Sequence, residues 1–323
     1  MYILDIGGIL LKKWILLLIM IIIFTSIASY GSNKKIQKDP EKLNVVTTTT
    51  ILEDAVRNIG GDKVEVESLM GPGIDPHLYK ASAGDVEKMM NADLIIFNGI
   101  HLEGKMSDIF EKLGQIDVKT IAPGDIIDSS KLIQSSEFEG NYDPHIWFDV
   151  KLWTEVVDVI MDSLIELDSE NKDFYISNGE EYKKELEELD KYIKDRAKEI
   201  PDEQRVLITA HDAFSYFGNA YGFQVEGLQG ISTVAEAGTL DVKELADFIA
   251  ERKIPAIFVE SSVPTKNIEA LQAAVHNRGF NVEIGGELYS DSLGNPGTEE
   301  GTYIGTVKYN VDTIVDALIK GVK

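Results

Sequence analysis

The chain has 323 residues, with 31 Lys+Arg against 55 Asp+Glu, five His and no Cys. A net charge of −24 excludes a nucleic-acid surface, because phosphate contacts need an excess of Lys and Arg, and it disfavours docking on anionic lipid. The absence of Cys removes disulfides, thiolate metal sites, Fe–S clusters and cysteine nucleophiles, so any metal chemistry must use imidazole and carboxylate.

Residues 1–28 read as an export segment. Lys12 and Lys13 precede a run from Trp14 to Ala28 that is almost wholly apolar, and Ser26-Ile27-Ala28 offers small residues for cleavage. The same run continues without charge to Asn33, so an uncleaved membrane anchor is the competing reading, since about 20 apolar residues span a bilayer. Either reading places the remainder outside the cytoplasmic membrane. Cleavage at Ala28 removes two lysines and one aspartate, so the acidity belongs to the mature part. Residues 29–42 are polar and aperiodic, as expected of a flexible tether.

From residue 43 onward strands and helices alternate. Residues 43–50 are β-branched and strand-like; 51–59 carry apolar residues at helical spacing; 64–70 form a strand. Ser82 and Asp85 open a helix reaching Met90, as a side-chain acceptor followed by an acid three residues on. Strands are expected at 93–98 and 118–122, with a helix at 105–113 between them. In the second half strands are expected at 205–210, 224–228, 256–260 and 281–284, separated by helices at 213–221, 241–252 and 266–277. Such alternation implies an α/β fold of two lobes with mostly parallel sheets: residues 43–168 and 201–323, each long enough for its own core.

Between the lobes, residues 169–200 form the most charge-dense stretch of the chain. Tyr182, Leu186, Leu189, Ile193, Ala197 and Ile200 recur at steps of three and four, which puts one apolar stripe on a long helix with the charges facing solvent. Pro201 stops it. A single rigid helix bridging two lobes permits only small relative motion.

Four polar segments interrupt this pattern. Asp75-Pro-His77 lies in a Gly/Pro loop after a strand, and Asp143-Pro-His145 repeats the motif in an aromatic segment. His211 directly follows the strand RVLITA, and carboxyl ends of parallel strands are where α/β sheets place ligands. Asp291 follows the strand-like NVEIGGELY. Each alone reads as a cap or a packed side chain. Together they offer three imidazoles and one carboxylate divided between the lobes, the donor set of an inter-lobe metal site. His101, on a loop, and His276, on the polar side of a helix, are expected to take no part. No G-x-G-x-x-G or phosphate-loop sequence occurs.

The motifs Gly-Ile-Asp-Pro-His77-Leu-Tyr, Tyr-Asp-Pro-His145-Ile-Trp, Thr-Ala-His211-Asp-Ala-Phe, Phe-Val-Glu-Ser-Ser262, Gly-Gly-Glu-Leu-Tyr-Ser-Asp291 and Gly-Thr-Tyr303-Ile-Gly occur in that order. In these the chain resembles the TroA-like family of zinc/manganese ABC-transporter substrate-binding proteins, which includes metal-binding lipoproteins and streptococcal-type adhesins. The resemblance covers residue 43 to the carboxyl end. It implies a two-lobe fold bridged by one long helix, and metal ligation by His77, His145, His211 and Asp291. It also implies a non-enzymatic role: capture of one Zn²⁺ or Mn²⁺ per chain and delivery, as a monomer, to ABC permease subunits with their ATPase. His211 stands where manganese-dedicated relatives often carry Glu, which leans toward zinc or mixed use. Two features depart from the family. Tyr30 occupies the place of the Cys that lipoproteins modify, so a lipid anchor is doubtful, and residues 124–142 lack the His-rich loop of many zinc-dedicated members.

Two other classes fit the same residues: a zinc-dependent hydrolase with Glu260 as base, and a surface adhesin. Four protein ligands favour a closed binding site over a catalytic one, which keeps a position open. Ligation needs neutral imidazole, so the ordinary His range predicts metal release as pH falls through about 6.

Overall fold

The computed structural model describes residues 39, 41–115, 118–135 and 142–319. The expected export segment (1–28), all of the tether except 39, 41 and 42, and part of the 124–142 segment lie outside the described residues.

Strand β1 (Leu43–Thr47) ends earlier than residue 50 because the Thr49 hydroxyl accepts a hydrogen bond from the Leu52 amide and caps α1 (Thr50–Gly60). After β2 (Val64–Ser68), α2 (Ala83–Met90) opens with the anticipated reciprocal cap. The Asp85 amide donates to the Ser82 hydroxyl at 3.2 Å, and the Ser82 amide donates to the Asp85 carboxylate at 2.8 Å. Then come β3 (Leu94–Ile96), α3 (Ser107–Gly114), β4 (Thr120–Ile121) and a single turn, α4 (Pro123–Ile126). The sheet is parallel throughout, in the order β2-β1-β3-β4, with Val45 opposite both Val66 and Leu94. Strand order reverses between β1 and β3, which opens a crevice beyond their carboxyl ends.

Two helices follow. α5 (Val150–Leu167), capped by the Asp149 carboxylate on the Lys151 amide, was not among the expected elements. Its signal is present nonetheless: Leu152, Trp153, Val156, Val157, Ile160 and Leu164 are all buried at helical spacing. α6 (Lys172–Ala197) is shorter at both ends than the expected 169–200. At its start, Asp168 accepts from the Asn171 amide group and the Tyr175 hydroxyl, both at 2.7 Å, and draws residues 169–171 into a 3₁₀ turn. At its end, the chain leaves the α-helix at Lys198, before Pro201.

The second lobe alternates β5 (Val206–His211), α7 (Ser215–Tyr221), β6 (Gln224–Gln229), α8 (Thr239–Arg252), β7 (Ala256–Glu260), α9 (Lys266–His276) and β8 (Glu283–Leu288). β8 runs four residues beyond the expected strand. Both pairs, β5/β6 and β7/β8, are parallel, and β5 packs beside β7. A second reversal therefore falls between β5 and β7, whose last residues are His211 and Glu260. A final helix, α10 (Tyr303–Ile319), also unanticipated, closes over β8. That approach needs Gly285, where a Cβ would lie 2.7 Å from the Phe258 ring and 2.8 Å from Ala317.

The largest core cluster runs through both lobes. It takes Val45 and Val56 from the first, Trp153, Tyr175, Leu186 and Ile193 from α5 and α6, and Leu207, Phe258, Leu288 and Val311 from the second. Two smaller clusters line the outer faces, one under α2 and α3, the other under α8 and α9. α6 is thus no free strut: its stripe is pressed into α5, α1 and α10. Leu186, fully buried in that stripe, carries the prediction that Leu186→Ala destabilises the whole chain by about 2–5 kcal/mol. Denaturant unfolding should show one transition at a lower midpoint; a loss below about 1 kcal/mol would mean that α6 does not bind the lobes into one core.

Candidate metal centre

The repeated Asp-Pro-His builds the same turn twice. The Asp75 carboxylate accepts from the His77 amide at 2.8 Å, and the Asp143 carboxylate accepts from the His145 amide at 2.9 Å. Proline between them fixes the backbone, so each histidine leaves its turn in a set direction. The two aspartates then diverge in use. Asp143 Oδ1 also meets His145 Nδ1 at 2.7 Å, whereas Asp75 Oδ2 accepts the Thr233 hydroxyl at 2.6 Å, joining a first-lobe loop to one in the second lobe. Gly73 adds to that seam through its amide, which donates to the Ser292 hydroxyl at 2.8 Å.

His211 ends β5 at the reversal between β5 and β7. Glu260, ending β7, takes the His211 amide on Oε1 at 2.9 Å and faces Nδ1 with Oε2 at 2.5 Å. His145 and His211 therefore have the same arrangement: a buried carboxylate on Nδ1 holds the proton there and turns the Nε2 lone pair of the neutral ring outward.

All four expected residues come together. Nε2 of His145 lies 3.3 Å from Nε2 of both His77 and His211, and Asp291 Oδ1 lies 3.5 Å from His145 Nε2 and 3.6 Å from His211 Nε2. One donor atom from each residue falls within 4.8 Å of every other. None of the four is more than 5% exposed. Asp291 Oδ2 accepts from Ser262, but Oδ1 is buried without a hydrogen-bond partner. Lone pairs converging at these distances in a dry interior need a shared positive charge. This donor set, three imidazole nitrogens and one free carboxylate oxygen, suits a borderline divalent metal.

The electrostatics are correspondingly split. Burial pushes His77 down to about 3, with a smaller opposing pull from Asp291. Burial also opposes charge on His145, but Asp143 and Asp291 outweigh it and lift this ring to about 9. His211 is raised well above the ordinary imidazole range: burial opposes charge, and Glu260 and Asp291 more than offset it. Burial would raise Asp291, yet His211 and His145 hold it well below the usual carboxylate range.

A cavity of about 400 Å³ opens beside His77, walled by Ile100, Leu102, Tyr142, Pro144 and Ile231. His101 lies on its wall, exposed as expected of a loop residue and not among the four clustered side chains; His276 is exposed at the end of α9. The sequence marked Asp143 through the Asp-Pro-His repeat and Glu260 and Ser262 through the motif Phe-Val-Glu-Ser-Ser262, with Glu260 a candidate base. It did not show their partners: Asp143 and Glu260 meet Nδ1 of His145 and His211, and Ser262 meets Asp291.

The zinc-uptake complex component A family (ZnuA, periplasmic) matches residues 45–317. This chain belongs to that family. Among its curated relatives, the zinc-binding protein TroA of Treponema pallidum is 51% identical over 276 residues, covering 85% of this chain and 89% of TroA. The manganese-binding lipoprotein MntA of Bacillus subtilis is 46% identical over 288 residues, covering 89% and 94%. The solved periplasmic zinc-binding TroA of Treponema pallidum superposes with a TM-score of 0.84, covering 86% of this chain and 99% of that one. As a ZnuA-family fold, the two-lobe α/β frame with its long helix agrees with the sequence reading.

Release on acidification was expected from the ordinary imidazole range, and the surrounding carboxylates shift His145 and His211 upward from it. Ligation needs both Nε2 atoms free of protons, so affinity should climb as pH rises through and above neutrality. Calorimetry at pH 7.5 in buffers of different ionisation enthalpy should register net proton release on cation uptake. Uptake with no released proton would contradict this charge state.

Proposed function

We propose that this protein captures one Zn²⁺ or Mn²⁺ outside the cytoplasmic membrane and delivers it to an ABC-type permease with its ATPase. The observation that carries the reading is the unpartnered Asp291 Oδ1, buried and facing the convergent Nε2 atoms. In this reading His77, His145, His211 and Asp291 are the ligands, two from each lobe, and the metal is cargo. Family membership supports the transport role, since its members are metal-binding substrate-binding proteins and not enzymes. TroA is named for zinc and MntA for manganese, so the family alone leaves both metals in play.

The geometry disfavours the hydrolase. Both oxygens of Glu260 are engaged by His211, so this candidate base orients an imidazole instead of facing a water. Four ligands from the protein would also close the coordination shell.

The lobe division at 43–168, 169–200 and 201–323 belongs to this proposal, supported by the sheet of β1–β4 that precedes α6 and the strands β5–β8 that follow it. So does a monomeric state. Among the described residues no helix is long and apolar enough to cross a membrane, so any anchoring falls to the amino-terminal apolar segment. MntA is called a lipoprotein, but a thioether lipid needs a thiol and this sequence has Tyr30 where that Cys would stand.

His145 touches both other imidazoles and Asp291, so its loss should be the most damaging. His145→Ala is expected to lower bound zinc, measured by mass spectrometry after purification without chelator, from about one ion per chain to a small fraction. The fold should remain cooperative. Full stoichiometry in that variant would remove His145 from the site.

A further inference from the structure

The loop from β3 to α3 contains a run of backbone that nothing local requires. Gly99, Ile100 and His101 lie consecutively in the left-handed region, at φ 82°, 51° and 61°. Glycine enters that region freely, but a β-branched Ile is an outlier there, and such conformations persist only where their surroundings over-determine them. The surroundings are identifiable. Asp125 of α4 accepts the Ile100 amide at 2.7 Å. The Gly124 amide donates to the Asn98 carbonyl at 3.0 Å, an approach that a Cβ on Gly124 would obstruct, since it would lie 2.6 Å from that oxygen. From within the loop, Glu103 Oε1 accepts the Asn98 amide at 2.8 Å and the Thr48 hydroxyl at 2.6 Å. Thr48 directly follows β1, so Glu103 is bound at the carboxyl end of β1, where strand order reverses toward β3.

Glu103 is buried, and burial pushes its carboxyl up to about 7 against the pull of these hydrogen bonds. A carboxylate in the interior is costly, so its contribution is read from what it holds. It holds Asn98. The Asn98 side-chain amide donates to the Pro144 carbonyl at 3.0 Å, inside the Asp143-Pro144-His145 turn. Tyr216 grips the same turn from the second lobe, its hydroxyl donating to the Asp143 carbonyl at 2.9 Å, while Asn98 grips it from the end of β3. His145 ends the turn and is the residue that meets His77, His211 and Asp291, so a shift of that backbone alters three of the cluster's distances at once.

We infer that Glu103 and Asn98 are positioning residues for metal capture: Glu103 and the left-handed segment lock Asn98, whose amide pins the Pro144 carbonyl and presents His145 already set for the cation. Both act on His145 through its backbone. The inference rests on the metal-capture reading and deepens it.

Zinc affinity, measured by competition with a chromogenic chelator, and denaturant unfolding of the metal-free protein separate positioning from plain stability. Asn98→Ala should weaken zinc binding about 10- to 100-fold, the usual loss when a group that orients a ligand is removed, with the unfolding midpoint little changed. Glu103→Gln keeps an oxygen at Oε1 for the Asn98 amide and should bind zinc as wild type does. Glu103→Leu has no acceptor and should weaken binding as Asn98→Ala does. Because one residue acts through the other, Asn98→Ala combined with Glu103→Leu should lose no more affinity than the worse single variant. Asn98→Ala with wild-type zinc affinity overturns the inference while leaving metal capture intact. So does a double variant whose loss is the product of the two single losses. A wild type that takes up no zinc overturns the metal-capture reading as well.

Discussion

Three imidazole nitrogens and one carboxylate oxygen meet in a buried cluster, and the rest of the molecule is arranged to hold them there. Left to itself such a cluster is unfavourable: lone pairs face one another at 3.3 Å, and a carboxylate oxygen has no donor. Charge resolves it. The surrounding carboxylates favour a positive charge on His145 and His211, while burial pushes His77 down against a smaller pull from Asp291. With cargo bound, the same charge is a divalent ion. In the proposed reading, metal binding competes with protons for the same Nε2 atoms, so affinity depends on pH.

Fixed geometry is the second requirement, and the fold supplies it at two levels. Locally, each of two imidazoles is oriented by a carboxylate on Nδ1: Asp143 from its own turn, Glu260 from the neighbouring strand. Around His145, the Trp147 indole donates to the Ser290 carbonyl at 2.9 Å, and the Tyr303 hydroxyl donates to the Trp147 carbonyl at 2.6 Å, so the His145 segment is tied to the chain after β8 and to α10. Globally, the main core passes unbroken from the first lobe through α5 and α6 to the second. The four clustered side chains, drawn from both lobes, keep their spacing because the lobes share this core, and large hinge opening would have to tear it.

Much of this was legible in the sequence, for reasons specific to each element. The α/β alternation and the apolar stripe of α6 follow from periodicity, and that stripe is buried in the structure with Tyr175 and Gly179 extending it. The four clustered residues stood out because polar groups at strand ends break an apolar pattern. Two helices went unread although their spacing was clear: α5 sits in an aromatic stretch next to a motif, and α10 overlaps the closing motif, so in both places the motif drew the reading. The ends of α6 could not be read from periodicity, because they depend on Asp168 capturing Tyr175 and on the cap at Lys198. Glu260 and Ser262 were recognisable as strand-end residues, but their partners were not: His211 is 49 residues from Glu260, and Asp291 is 29 from Ser262. Pairing across such separations exists only in the folded sheet.

The most direct test is anomalous diffraction at the zinc absorption edge from crystals of the protein given one equivalent of zinc. One peak is expected, bonded at about 2.0–2.2 Å to Nε2 of His77, His145 and His211 and to Asp291 Oδ1. A zinc peak elsewhere, with these four side chains remaining unligated, would contradict the account at its centre.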